Sequence, residues 1–237
     1  MNPSGPLLVT GFEPFDGHQL NVSWELARRL SGSPVGQTRW VGERLPCRFE
    51  ACIQALTLSV ERHQPCAVLC LGQAEGRARI SLERVAVNLR DARIADNGGY
   101  QPVDEPVIPT GPYAYPARLP LRQLVTALAA AGHPIELSNT AGTFVCNDLF
   151  YGLMHFTRDQ DLPAGFVHLP ILPQQGRALS ERSVARDDAP LAQGATPTLS
   201  LEVQLAAMHD LGALLVGASA NPFIRHSRSR SNAVDSR

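Results

Sequence analysis

The chain has 237 residues, 44% of them hydrophobic and 18% charged, with a formal net charge of −1. Those values describe a globular domain with ample apolar material for a core, and they exclude a disordered chain. Near-neutral charge argues against a dedicated nucleic-acid binder, and no apolar run approaches a membrane span.

The N-terminus lacks a basic leader, and Pro6 to Val9 is too short for the core of a secretory signal. Leu7 to Thr10 reads as a buried strand that runs into the loop GFEPFDG. Phe12 and Phe15 stand three apart in that loop, around Pro14. They form either a local mini-core or the wall of a ligand pocket at a strand's carboxyl end. Asn21 to Leu30 has helical periodicity, Thr38 to Cys47 alternates like a strand, and Phe49 to His63 is again helical. Ala67 to Leu71 is a continuous apolar strand ending at Gly72-Gln73. His63, Cys66 and Cys70 match no zinc-finger spacing, so no metal is expected.

Glu75 to Arg79 is a charged link, and Ile80 to Leu89 follows as a strand with a polar start. A carboxylate at Glu83 beside an arginine is, on its own, an ordinary surface ion pair. From Asp96 to Pro120 the chain has no periodicity and is rich in Pro and Gly, as functional or interface loops are. Leu121 to Ala131 is helical. A short strand at Ile135 to Leu137 then leads into SNTAGTFVCNDLFYGLMH, from Ser138 to His155. That order places Cys146 in the first turn of a helix, where free N–H groups and the helix dipole favour a thiolate. Gly165 to Leu169 is a further strand with His168 at its end. Gln174 to Pro197 is polar and reads as a mobile loop. Leu199 to Val216 is a closing helix capped by Thr198 or Ser200. The arrangement predicts a single domain over residues 1–224, an α/β/α sandwich around a twisted, mainly parallel (mixed) sheet. Residues 225–237, with four arginines among serines, read as a disordered tail. The five cysteines, Cys47, Cys52, Cys66, Cys70 and Cys146, follow no disulfide framework, which fits a reducing cytoplasm.

A thiol nucleophile needs a base. His155 lies nine residues up the same helix from Cys146, about 13 Å away at 1.5 Å per residue. His18, in a loop, remains possible, and His168 is the best placed, because two consecutive parallel elements would bring its strand end beside the start of the Cys146 helix. An acid should orient the imidazole. Asp148 is turned away from Cys146 on the helix, and Glu13, Glu83, Asp91 and Asp96 all remain open.

Five stretches carry a family resemblance: GFEPF from Gly11, ISLERVAVN from Ile80, DARIADN from Asp91, SNTAGTFVCN from Ser138 and GFVHLP from Gly165. Together they resemble the pyroglutamyl peptidase I, or pyrrolidone carboxyl peptidase, family, over about Leu7 to Val216. The resemblance implies a cysteine peptidase that removes N-terminal pyroglutamyl residues from peptides through a Cys-His-Glu triad. Cys146 would be the nucleophile, His168 the base and Glu83 the acid. Phe12, Phe15 and Phe144 would surround the lactam ring. The backbone at Gln73 would face the ligand, and Arg93 would lie near the catalytic groups. The same resemblance implies an α/β/α fold, no cofactor or metal, and a homotetramer. This sequence departs from the family's usual residues at Asp16 and Glu75, and it shortens the stretch between Cys146 and His168. A phosphate-dependent transferase of similar fold is the rival enzyme reading, but no phosphate-cradling loop is present. A catalytically dead binding protein would be expected to have lost triad members, and all three are in place.

Overall fold

A computed structural model describes residues 5–185 and 196–219. In chain order the elements are β1 (Leu7–Phe12), α1 (Val22–Leu30), β2 (Pro34–Val35), β3 (Thr38–Leu45), α2 (Ala51–His63) and β4 (Ala67–Gln73). They continue with β5 (Ile80–Glu83), β6 (Val85–Val87), β7 (Ala114–Pro116), α3 (Leu121–Ala130), β8 (Ile135–Ser138) and α4 (Val145–Phe156). The last three are β9 (Ala164–Leu169), α5 (Pro173–Ala185) and α6 (Leu201–Ser219).

Seven strands form one sheet in the order β2-β3-β1-β4-β9-β5-β8. β3, β1, β4 and β9 are mutually parallel, and β5 pairs parallel with β8 but antiparallel with β9. The sheet is therefore mixed and mainly parallel, as expected. Alternation along the strands sorts residues between two faces. Leu7, Val9, Leu69, Leu71, Leu82, Val167 and Leu169 point into one core, where α1, α3 and α6 supply Leu26, Leu124, Met208 and Leu211. Leu8, Phe12, Val68, Cys70 and Phe166 point into the other, against Cys52, Leu56, Leu149 and Leu153 of α2 and α4. That is the expected three-layer α/β/α sandwich.

Local chemistry explains the element ends. Asn21 Oδ1 accepts from the Ser23 N–H at 3.0 Å and starts α1. Ser200 Oγ accepts from the Val203 N–H at 3.4 Å at the start of α6. Gln64 closes α2 in the left-handed conformation.

Three expectations change. The predicted strand Ile80 to Leu89 divides at Arg84: β5 stays in the main sheet, while β6 leaves it to pair with β7 from the long Pro/Gly-rich segment. The segment read as a mobile loop begins with a helix, α5, whose Gln175 hydrogen-bonds Gln73 at 2.7 Å. Its polar composition hides the helix from a reading based on apolar periodicity. Third, β8 and β9 are neither parallel nor adjacent, since β5 lies between them. Residues 186–195 and the arginine-rich tail lie outside the described residues.

Candidate active site

The site lies on the α2/α4 face of the sheet. In the antiparallel register Ser81 sits opposite His168, which sends Ser81, Glu83, Phe166 and His168 to one face. On the other side of β9, Cys70 pairs with Phe166 and Gly72 with His168. Gly72 therefore leaves a gap beside the imidazole, and Cys146 fills it. A Cβ at position 72 would lie 2.9 Å from Cys146 Sγ and 2.7 Å from Phe166 Cζ. The α4 helix thus lowers its first turn onto the sheet and sets the sulfur on Gly72, in register with His168.

His168 is buried at 4% exposure and Glu83 is completely buried. His168 Nδ1 bonds Glu83 Oε1 at 2.8 Å. The Phe166 ring lies edge-on to the imidazole, with centroids 4.9 Å apart. Glu83 Oε2 has no hydrogen-bond partner among the described residues. Arg77, which sequence reasoning left in an unassigned link, places Nη2 3.0 Å from Glu83 Oε1.

The expected thiolate stabilisation at the helix start is outweighed in this environment. Cys146 is half-buried as a residue. Even so, burial pushes its thiol up to about 12, and the Glu83 carboxylate adds to that while Arg77 pulls against it. Burial also holds His168 below the ordinary histidine range, with the Glu83 hydrogen bond opposing. Both shifts favour the uncharged forms, thiol and imidazole, over a preformed ion pair.

Four other histidines have separate partners. His18, His63 and His133 contact Glu75, Glu43 and Asp210, each at 2.6 Å, and His155 bonds the Tyr115 hydroxyl at 2.8 Å. Asp148, turned away from the thiol as its helical phase requires, is buried against Arg90 at 2.6 Å and accepts the Glu50 N–H. Among the described residues no group of three or more His, Cys, Asp or Glu side chains could hold a metal.

The aromatic residues divide. Phe15 and Phe144 are half-buried, their ring centroids 6.0 Å apart, and Phe144 meets Phe49 edge-on at 5.4 Å. Phe12 is buried in the adjoining core. Gln73 ends β4 next to Leu169, with Oε1 taken by the Val22 N–H and by Gln175. Arg93 is exposed, beyond Asp91 and Ala92. Phe49, unremarked in the sequence, is carried to Phe144 by the start of α2, and local periodicity gives no sign of that.

A family model described as pyroglutamyl peptidase matches residues 6–210. The chain belongs to the pyroglutamyl peptidase family. Members of this family are cysteine peptidases. A pyrrolidone-carboxylate peptidase of Gloeobacter violaceus is 54% identical over 170 residues, covering 71% of this chain and 83% of the relative. That of Erwinia tasmaniensis is 44% identical over 200 residues, 84% of this chain and 91% of the relative. Among solved structures, pyroglutamyl peptidase I of Bacillus amyloliquefaciens aligns with a TM-score of 0.80 and 38% identity, covering 91% of this chain and 98% of that one. Pyrrolidone carboxyl peptidase of Pyrococcus furiosus aligns at 0.82 with 32% identity, covering 90% and 99%.

Proposed function

We propose that this peptidase hydrolyses the amide bond that follows an N-terminal pyroglutamyl residue of a peptide, with Cys146, His168 and Glu83 as its triad. The observation that carries this reading is the seat of the Cys146 sulfur on Gly72, in register with a histidine whose Nδ1 is held by a buried carboxylate. With Nδ1 committed to Glu83, His168 Nε2 takes the thiol proton as sulfur attacks the pyroglutamyl carbonyl. The N–H groups of Asn147 and Asp148 are spent on the Phe144 carbonyl, which leaves those of Val145 and Cys146 to receive the oxyanion. His168 returns the proton to the leaving amine as the C–N bond breaks. Water, deprotonated by His168, then cleaves the thioester, releases pyroglutamate and restores the thiol.

The lactam ring would lie against Phe15 and Phe144, with Phe12 packed behind and the backbone near Gln73 meeting its polar edge. Arg93 is assigned to the site by the family resemblance alone. Five free thiols suit a reducing cytoplasm, and no described helix is long and apolar enough to cross a membrane. A homotetramer is the assembly the resemblance implies, and sedimentation at four times the mass of the 25.6 kDa chain tests it.

The decisive experiment compares fluorogenic pyroglutamyl and prolyl amides, with and without iodoacetamide. A prolyl ring brings a charged amine and no carbonyl to a site built for a neutral lactam. Sites that hydrogen-bond a substrate group reject analogues lacking it by about 10⁴-fold. Comparable kcat/KM on the two reporters, or turnover that survives alkylation, would sink the proposal.

A further inference from the structure

We propose that Arg77 is a positioning residue for this reaction, tying the Glu83 carboxylate to the turn that delivers Cys146. The inference rests on the catalytic reading above. Arg77 Nη2 lies 3.0 Å from Glu83 Oε1 and donates to the Thr140 carbonyl at 3.1 Å. The first contact reaches the same carboxylate oxygen that holds His168 Nδ1 at 2.8 Å. The second reaches the turn between β8 and α4, five to six residues ahead of the nucleophile.

That turn is braced on its other side. The Asp91 N–H donates to the Thr143 carbonyl at 3.1 Å, and Thr143 Oγ1 donates to the Asp91 carbonyl at 2.7 Å. Ser138 Oγ also donates to the Thr140 carbonyl, at 3.1 Å. A shift of Arg77 would therefore move the acid and the turn before the nucleophile helix together. Without it, Glu83 would be a fully buried carboxylate facing only a neutral imidazole, with its second oxygen unpartnered. A buried charge in that position needs a counter-charge. The side chain of Arg77 is 24% exposed, so it supplies the charge from the rim of the site without a full desolvation cost.

The charged groups acting on His168 are Glu83 on β5 and Arg77 on the β4–β5 link, and Cys146 on α4 sits beside it over Gly72, with Cys70 of β4 acting on the thiol. The positive charge of Arg77 favours the thiolate that attacks and disfavours the imidazolium that forms as the proton moves, so its effects on the two groups oppose one another and its main contribution is to position them.

The test uses Arg77→Gln and Arg77→Lys in the full chain, with three readouts: kcat and KM on the pyroglutamyl amide, the His168 imidazole titration by NMR, and the pH profile of Cys146 alkylation by iodoacetamide. Arg77→Gln should lower kcat by about 10- to 100-fold, the scale of a small misplacement at a reacting centre, with KM little changed. The His168 midpoint should rise, the alkylation profile should move to higher pH, and Arg77→Lys should restore part of each. A loss of thermal stability with an unmoved His168 titration would overturn the proposal, as would an unchanged kcat. If the wild-type chain failed to turn over the reporter, the catalytic reading would fall. The His168 titration in the two variants would still decide the placement of Arg77.

Discussion

At the scale of single residues, the site depends on an absence. Gly72 has no side chain, and the sulfur of Cys146 occupies the space one would need. Gly72→Ala should therefore displace the sulfur or the Phe166 ring and lower kcat by about 100-fold or more, with far-UV circular dichroism unchanged. Full activity in that variant would show that the sulfur works from elsewhere. The titration states give a second expectation. His168 is held below its ordinary value of 6.5, so kcat/KM should stay level as pH falls to 6.5 and decline only below it, as the imidazole takes up a proton. The thiol stands near 12, so alkylation of the free enzyme should be slow at neutral pH and rise through the alkaline range. Fast alkylation that is flat from pH 6 to 9 would indicate a preformed thiolate instead. A strand–turn–helix sequence pointed to Cys146 as a candidate, and a strand end pointed to His168. Glu83 was one of four open carboxylates until the family resemblance chose it, because its partner is 85 residues away. Gly72 and Arg77 had no local signal, since Gly72 matters through strand register and Arg77 through contacts with residues distant in the chain.

At the scale of elements, α4 is both the carrier of the proposed nucleophile and the most heavily buried helix of its layer, with nine buried residues from Val145 to Met154. Its anchor is ionic. Asp148 meets Arg90 Nε at 2.6 Å, accepts the Glu50 N–H at 2.9 Å and takes the Cys52 thiol at 3.6 Å, so it fastens α4 to the start of α2 and to the segment after β6. Burial works against ionised Asp148 while Arg90 favours it, so the pair need not add net stability. Breaking it is another matter. Asp148→Asn would leave Arg90, 5% exposed, facing a neutral amide. The expected loss is about 3–5 kcal/mol in urea unfolding, and a loss under about 1 kcal/mol would show that Glu50 alone suffices for Arg90. The strongly periodic helices and apolar strands could be read from sequence because burial imposes its period on them. α5 could not, because polar residues dominate it. The division of β5 from β6 was equally hidden, since both halves are strand and only the pairing partner changes.

At the scale of the whole molecule, the sheet determines which distant residues meet. The expectation that consecutive elements would be neighbours put Cys146 and His168 together for the wrong reason. β5, from the middle of the chain, lies between β8 and β9, and it brings Glu83 with it. The overall α/β/α layering was legible because alternating strands and helices allow few other packings; the reversal of β5 and β8 against the parallel strands was not, because no local pattern encodes pairing order. His168 belongs to a strand flanked on both sides by paired neighbours, and the floor beneath the sulfur belongs to the strand next to it. Amides in such interior strands exchange with solvent only when the domain opens as a unit, whereas those of surface segments exchange by local fraying. The backbone under the reacting atoms is therefore among the last parts of the molecule to yield. Heat inactivation should then coincide with the loss of deuterium protection at Gly72 and His168, and the enzyme should stay competent while its periphery is already fluctuating.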